Sequence, residues 1–235
     1  MSTPSYAGTD LDLFAAATRW KSYLRRQVGR DLRGIVLEVG AGIGGTTRLL
    51  CRGDHPRWLC LEPDPVLASR LARTIEDGAL PACCEVAVGT IDDIPDAPEF
   101  DTIIYIDVLE HIADDAAELA RAAGRLRSGG RVVVLSPAHN WLYSPFDRAI
   151  GHYRRYTTKS LAALTPEGLR LDRLIYLDAA GLLASLGNRL VLSRSMPTAR
   201  QVAFWDRVLV PCSRRLDPLL GHAVGKSVLG VWRKP

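Results

Sequence analysis

The chain has no run of about 20 apolar residues, so no segment reads as a bilayer-spanning helix. Its first ten residues, MSTPSYAGTD, lack the basic and apolar stretches of a secretory leader. Nor is there a dense block of Lys and Arg. The 30 basic and 26 acidic side chains are largely interleaved, and a formal charge of +4 gives no footprint for nucleic acid. Five cysteines, Cys51, Cys60, Cys83, Cys84 and Cys212, show no C-x-x-C spacing and no pairing pattern. They read as buried thiols of a reducing cytoplasm rather than as zinc ligands or disulfides, and no metal ligand set is expected. Internal repeats and low-complexity segments are absent as well.

What remains is ordinary globular material: 47% apolar and 24% charged residues in a chain of 235, enough for one α/β domain. A helix is expected over about 11–29, capped by Asp10 and stopped by Gly34. Short apolar strands then alternate with amphipathic helices. The apolar stretch running into the glycines from residue 40, WLCLEPDP (58–65), CEVAVG, FDTIIYIDVLEHI (100–112) and RVVVLSPAH read as strands, and VLASRLARTIEDG and DDAAELARAAGRLRSGG read as helices closed by glycine. This alternation implies βαβ crossovers and a parallel sheet, with ligands at the carboxyl ends of its strands. Beyond residue 140 an aromatic and arginine-rich link leads to a helix capped by Thr157 or Thr158. Strands over 169–178 and SVLGVWRK then bracket a long apolar insertion, Ala179 to Gly225.

The stretch VLEVGAGIGGTTRLL, residues 36–50, carries the chemistry. Gly40, Gly42 and Gly45 satisfy the G-x-G-x-x-G spacing of a dinucleotide site. Glu38, Gly40, Gly42 and Gly44 equally satisfy the acidic-x-G-x-G-x-G spacing of S-adenosylmethionine (SAM) enzymes. Glu62 follows Gly42 by 20 positions and suits the ribose hydroxyls of either cofactor. Glu38 discriminates, because an acid there would repel a pyrophosphate but attract the ammonium and sulfonium of SAM.

With VGTIDDIP, FDTIIYIDVLEHI and LRSGGRVVVLSPA following in order, the chain resembles the class I SAM-dependent methyltransferases, particularly the bacterial small-molecule branch. The resemblance covers nearly the whole chain. It implies a Rossmann-like, mostly parallel seven-stranded sheet of order 3-2-1-4-5-7-6, flanked by helices. It also implies a single domain over 1–235, with an N-terminal helical cover (about 10–30) and a helical lid insertion (about 179–225). On this resemblance Glu38, Gly40, Ala41, Gly42 and Gly44 hold the methionine end, and Glu62 holds the ribose. Thr90 and Ile91 flank the adenine, with Asp92 or Asp93 in place of the acid many relatives carry at Thr90. Asp107 and Leu109 line the methionine side.

Methyl transfer needs a nucleophile held in line with the methyl group, and a base assists when the acceptor is a hydroxyl or ammonium. His111 in DVLEH and His152 in GHYRRY are the candidate catalytic residues. Each also has a structural reading: His111 packs its turn, or His152 orders the loop around Asp147. Tyr153, Arg154, Arg155 and His139 are candidates for binding the acceptor. One arginine would clamp an anion while the other pairs with Asp147 or solvent. The function these residues point to is transfer of a methyl group to oxygen or nitrogen of a small biosynthetic metabolite. C-methylation, a lipid-linked or glycosylated acceptor, an NAD oxidoreductase and a noncatalytic SAM-binding module stand as alternatives. The fourth motif reads DVLE where a base-modifying enzyme would carry N-P-P-Y or N-P-P-F. The insertion also reads as a homodimer surface or a membrane-facing element.

Overall fold

The structure is a computed structural model that describes residues 17–191 and 198–235; the expected cap Asp10 lies outside them. Seven strands form one sheet in the order β3-β2-β1-β4-β5-β7-β6. In chain order they are β1 (Val36–Val39), β2 (Trp58–Glu62), β3 (Cys84–Val88), β4 (Phe100–Ile106), β5 (Leu126–Pro137), β6 (Arg170–Leu177) and β7 (Ser227–Arg233). The first five run parallel, and β7 lies antiparallel between β5 and β6. This is the expected order.

Both faces of the sheet are covered, so apolar residues at alternate positions of β1 and β4 are buried on either side. Leu37, Val39, Ile103, Tyr105, Val132 and Val134 fill one core. Val36, Ile104, Val133, Leu135, Leu229 and Val231 fill the other.

Two boundaries differ from expectation. Helix α4 (Asp115–Arg125) stops at Arg125, not at the glycines, and β5 begins at once. The register between β4 and β5 then slips between Phe100–Leu126 and Thr102–Arg131, so Gly129 and Gly130 serve a strand irregularity rather than a helix stop. Helix α1 (Thr18–Val28) likewise ends before Gly34, which sits at φ 55° in the turn into β1.

Helix α1 has no cap of its own. Asp206, 186 residues further on, accepts hydrogen bonds from the backbone N–H of Trp20 (2.8 Å) and Arg19 (3.3 Å), the work an N-cap side chain usually does. The insertion that supplies it comprises α7 (Ala179–Val191), α8 (Ala199–Phe204), a π turn and α9 (Val210–Leu219). Buried Asp217 in α9 accepts from the Tyr23 hydroxyl (2.7 Å) and from the amides of Asp178 (2.7 Å) and Ala179 (2.9 Å). Two buried aspartates therefore fasten the insertion to α1 and to the end of β6. Among the described residues no helix is long and apolar enough to cross a membrane.

The other helices are α2 (Thr47–Leu50), α3 (Pro65–Glu76), α5 (Pro145–Ala149) and α6 (Thr158–Ala162).

Candidate active site

The carboxyl edge of the sheet is where the backbone leaves its ordinary conformations. Asp107 after β4, His139 after β5 and Asp178 after β6 all have positive φ, at 55°, 67° and 70°. Such residues cost energy that a fold usually tolerates only where the position is used.

The glycine loop departs from β1 at this edge. Gly40 has φ 68°, and a Cβ there would meet the Val108 side chain at 2.6 Å, so no other residue fits. Gly42 has φ 56°, and its N–H donates to Glu62 Oε2 at 2.8 Å. Glu62 Oε1 accepts from the Asp64 amide at 3.0 Å, which leaves each oxygen a further lone pair for a ligand hydroxyl. Ala41 is buried at the same turn, and Gly44 packs against Leu71 and Leu80.

Glu38 is 3% exposed, and its Oε2 accepts from Thr47 Oγ1 (2.8 Å) and Trp58 Nε1 (2.7 Å). Burial pushes its carboxyl up to about 7, against the pull of those two donors and of Lys21. Asp107, by contrast, is open to solvent.

At the end of β3, Ile91 is fully buried and Thr90 is exposed. Both acids expected to help on the adenine side are engaged. Asp93 accepts from the Thr90 amide (2.8 Å) and hydroxyl (3.1 Å), and Asp92 pairs with Arg121 at 3.0 Å. Leu109 is fully buried in the core.

Asp147 organises the other half. It is fully buried and accepts from His152 Nδ1 (2.9 Å), from Arg155 Nε (2.9 Å) and Nη2 (3.0 Å), and from the amide (2.8 Å) and hydroxyl (2.7 Å) of Ser144. Burial alone would raise its carboxyl, but the His152 hydrogen bond and the Arg155 charge outweigh it and hold the group well below the usual range. The bond fixes the orientation of the His152 ring: Nδ1 is turned to Asp147 and Nε2 to the opposite side. That nitrogen lies 3.8 Å from Glu110 Oε1. The His111 ring stands edge-on to the His152 ring, with centroids 4.5 Å apart. Burial, then His152, lowers the His111 imidazole to about 4.

The candidate acceptor residues are dispersed. Arg155 is bound to Asp147 in a two-pronged pair. Arg154 is held by Asp115 at 2.6 Å and by the Ala113 carbonyl at 2.7 Å, so neither guanidinium faces the cleft as a free clamp. Tyr153 is 60% exposed beneath the Arg154 guanidinium. Tyr156, the other tyrosine of the link, is buried and donates to Asp115 at 2.7 Å. His139 stacks on Trp141 and Tyr176, with Nε2 3.0 Å from the Gly225 carbonyl.

The structure also brings forward residues that the sequence reading did not single out. Glu110 is completely buried, with Oε2 accepting from Ser136 Oγ at 3.0 Å. Its neighbour in sequence, His111, was the only signal for it. Lys21 and Lys226 flank the cleft, each lowered chiefly by burial.

Residues 37–132 match a protein family described as a methyltransferase domain. That span contains the glycine loop, Glu62 and the β4 edge, the parts that fit an adenosyl sulfonium cofactor. Over those residues the chain is similar to SAM-dependent methyltransferases. Its fold is similar to geranyl diphosphate methyltransferase in complex with SAM (TM-score 0.66, 14% identity, 100% of this chain and 93% of that one). It is also similar to the cyclase SpnF (0.64, 14%, 97% and 94%). A third likeness is to the N-methyltransferase NodS from Bradyrhizobium japonicum with S-adenosylhomocysteine (0.59, 15%, 94% and 88%). No curated protein matches the sequence significantly. The residues at this edge fit an adenosyl sulfonium ligand. Glu62 is braced against the loop, Glu38 is a buried acid behind it, and Asp107 stands at the end of β4.

Proposed function

We propose that this methyltransferase is a single domain that methylates an oxygen or nitrogen of a small biosynthetic metabolite in the cytoplasm. The observation that carries the reading is the pairing of an acid-lined cofactor cleft with the Asp147–His152 couple beside Asp107. When bound, SAM supplies an electrophilic methyl group on a sulfonium. Glu38 and the loop of Gly40, Ala41, Gly42 and Gly44 hold its amino-acid end with Asp107 and Leu109, Glu62 holds the ribose, and Thr90 and Ile91 border the adenine. His152, oriented by Asp147, is the residue through which the acceptor is activated, and His111 completes that wall. The insertion closes over the acceptor.

His152→Ala is expected to lower turnover roughly 10²- to 10⁴-fold while S-adenosylhomocysteine affinity stays within a few-fold. Initial-rate kinetics beside calorimetric titration check this, and unchanged turnover returns His152 to ordering its loop.

Glu38 makes binding pH-dependent. Its carboxyl titrates near 7 in the free chain, and a cationic ligand beside it favours the carboxylate. Binding below pH 7 therefore releases a proton. SAM affinity should rise with pH from about 5 to 7, by up to about tenfold per unit, and then level off. The same raised value means that the folded-state benefit of a protonated Glu38 is complete below its ordinary 4.5 and is lost as pH climbs through about 7. Glu38→Gln should flatten the affinity profile; a profile of unchanged slope would remove Glu38 from the cofactor site.

A lipid-linked acceptor is the second reading, favoured by the exposed Leu183, Phe204, Val208, Leu219 and Leu220 on the insertion. Co-sedimentation with anionic vesicles tests it.

A further inference from the structure

Glu110 poses a problem that the methyl-transfer site does not solve. The side chain is completely buried, yet among the described residues its Oε1 has no hydrogen-bond partner. A bare carboxylate oxygen in the interior costs several kcal/mol unless something fills its lone pairs. The atoms facing it are also acceptors or already oriented. His152 Nδ1 is committed to Asp147, which turns Nε2 toward Glu110, 3.8 Å from Oε1. A ring nitrogen of His111 completes a group of three ligand atoms that lie within 4.8 Å of one another. An unpartnered, fully buried carboxylate oxygen with two imidazole nitrogens converging on it describes a cation site.

We propose that Glu110, His111 and His152 bind a first-row divalent transition-metal ion. With bonds of about 2.0–2.2 Å, one ion spans the 3.8 Å between His152 Nε2 and Glu110 Oε1. Small side-chain rotations close the remaining distance to His111. The outer contacts are those such a site needs. Asp147 receives the far N–H of His152, and Ser136 donates to the far oxygen of Glu110, so two of the ligands are held in orientation. Two imidazoles and one carboxylate suit zinc, manganese, iron or cobalt rather than calcium or magnesium, which prefer oxygen ligands alone. Arg155 makes its two-pronged pair with Asp147 and not with Glu110.

Three protein ligands leave positions for an acceptor oxygen. This part rests on the proposed methyltransferase function, and it specifies the acceptor as an oxygen donor such as a hydroxyl, phenol or α-hydroxy acid. A hydroxyl coordinated there gives its proton to bulk water while the O–H bonding pair stays on oxygen, which prepares the nucleophile. His152 then activates the acceptor by holding the ion.

The test is titration of the whole chelator-stripped chain with Co²⁺, read by visible absorption, with S-adenosylhomocysteine affinity measured on the same samples. The expected result is one equivalent bound, with ligand-field bands and no thiolate charge-transfer band. In Glu110→Gln and His152→Ala the affinity should fall at least 100-fold, with S-adenosylhomocysteine binding confirming that each variant is folded. A thiolate band would assign the ion to Cys51, Cys83 and Cys84, whose sulfurs also cluster, and would overturn the proposal. So would no binding, or binding unchanged in both variants. In the unsubstituted chain, no cobalt binding beside retained S-adenosylhomocysteine binding refutes the metal site alone, whereas cobalt binding without S-adenosylhomocysteine binding refutes the cofactor assignments and spares the metal site.

Discussion

Asp147→Asn is expected to lower the melting temperature by roughly 6–20 °C and to cut turnover at least 100-fold in the protein that remains folded. The carboxylate is fully buried and satisfies five donors from three residues. An amide of the same size replaces one acceptor oxygen with a donor. That donor faces either Arg155 or His152, and the Arg155 guanidinium loses its counter-charge in a nearly closed site. Breaking one partner of a buried ion pair costs about 3–5 kcal/mol. In a domain of this size each kcal/mol is worth about 2–4 °C. The catalytic loss has a separate origin, because without the carboxylate nothing fixes the orientation of the His152 ring. Differential scanning calorimetry and single-turnover kinetics separate the two effects. A variant with the wild-type melting temperature would show that the couple does not organise this loop.

Gly42→Val should abolish measurable binding of S-adenosylhomocysteine, a loss of more than 100-fold, while the fold survives. The position has φ 56°, which a β-branched residue adopts only at a cost of a few kcal/mol. The cost falls on the loop, because relaxing φ withdraws the Gly42 N–H from Glu62 and displaces the turn along which a ligand backbone must pass. Isothermal titration with circular dichroism as a control measures both. Full affinity in the folded variant would show that the ligand does not approach this loop.

Periodicity and punctuation made the sheet legible. Apolar runs such as IIYI and VVVL read as strands covered on both faces, and the last two strands emerged as a pair around the insertion. The glycine loop was legible because positive φ selects glycine by sterics, and Glu38 and Glu62 because acids at strand ends stand out among apolar neighbours. What the sequence could not convey was pairing between distant side chains. Asp206 capping a helix 186 residues earlier, and Asp217 joining Tyr23 to Asp178, leave no local pattern. The same holds for the arginines of GHYRRY, which looked available but are consumed by Asp115 and Asp147. Glu110 was hidden by its context. Beside a histidine at a strand end it read as part of a turn, and only the absence of a donor for Oε1 separates it from a buried structural acid.

The measurement that bears most directly on the cofactor site is calorimetric titration of the purified chain with S-adenosylhomocysteine and, separately, NADH. Micromolar, one-to-one binding of the first and none of the second is the predicted result. NADH binding without S-adenosylhomocysteine binding would contradict it, and would leave the buried acid behind the glycine loop facing a pyrophosphate.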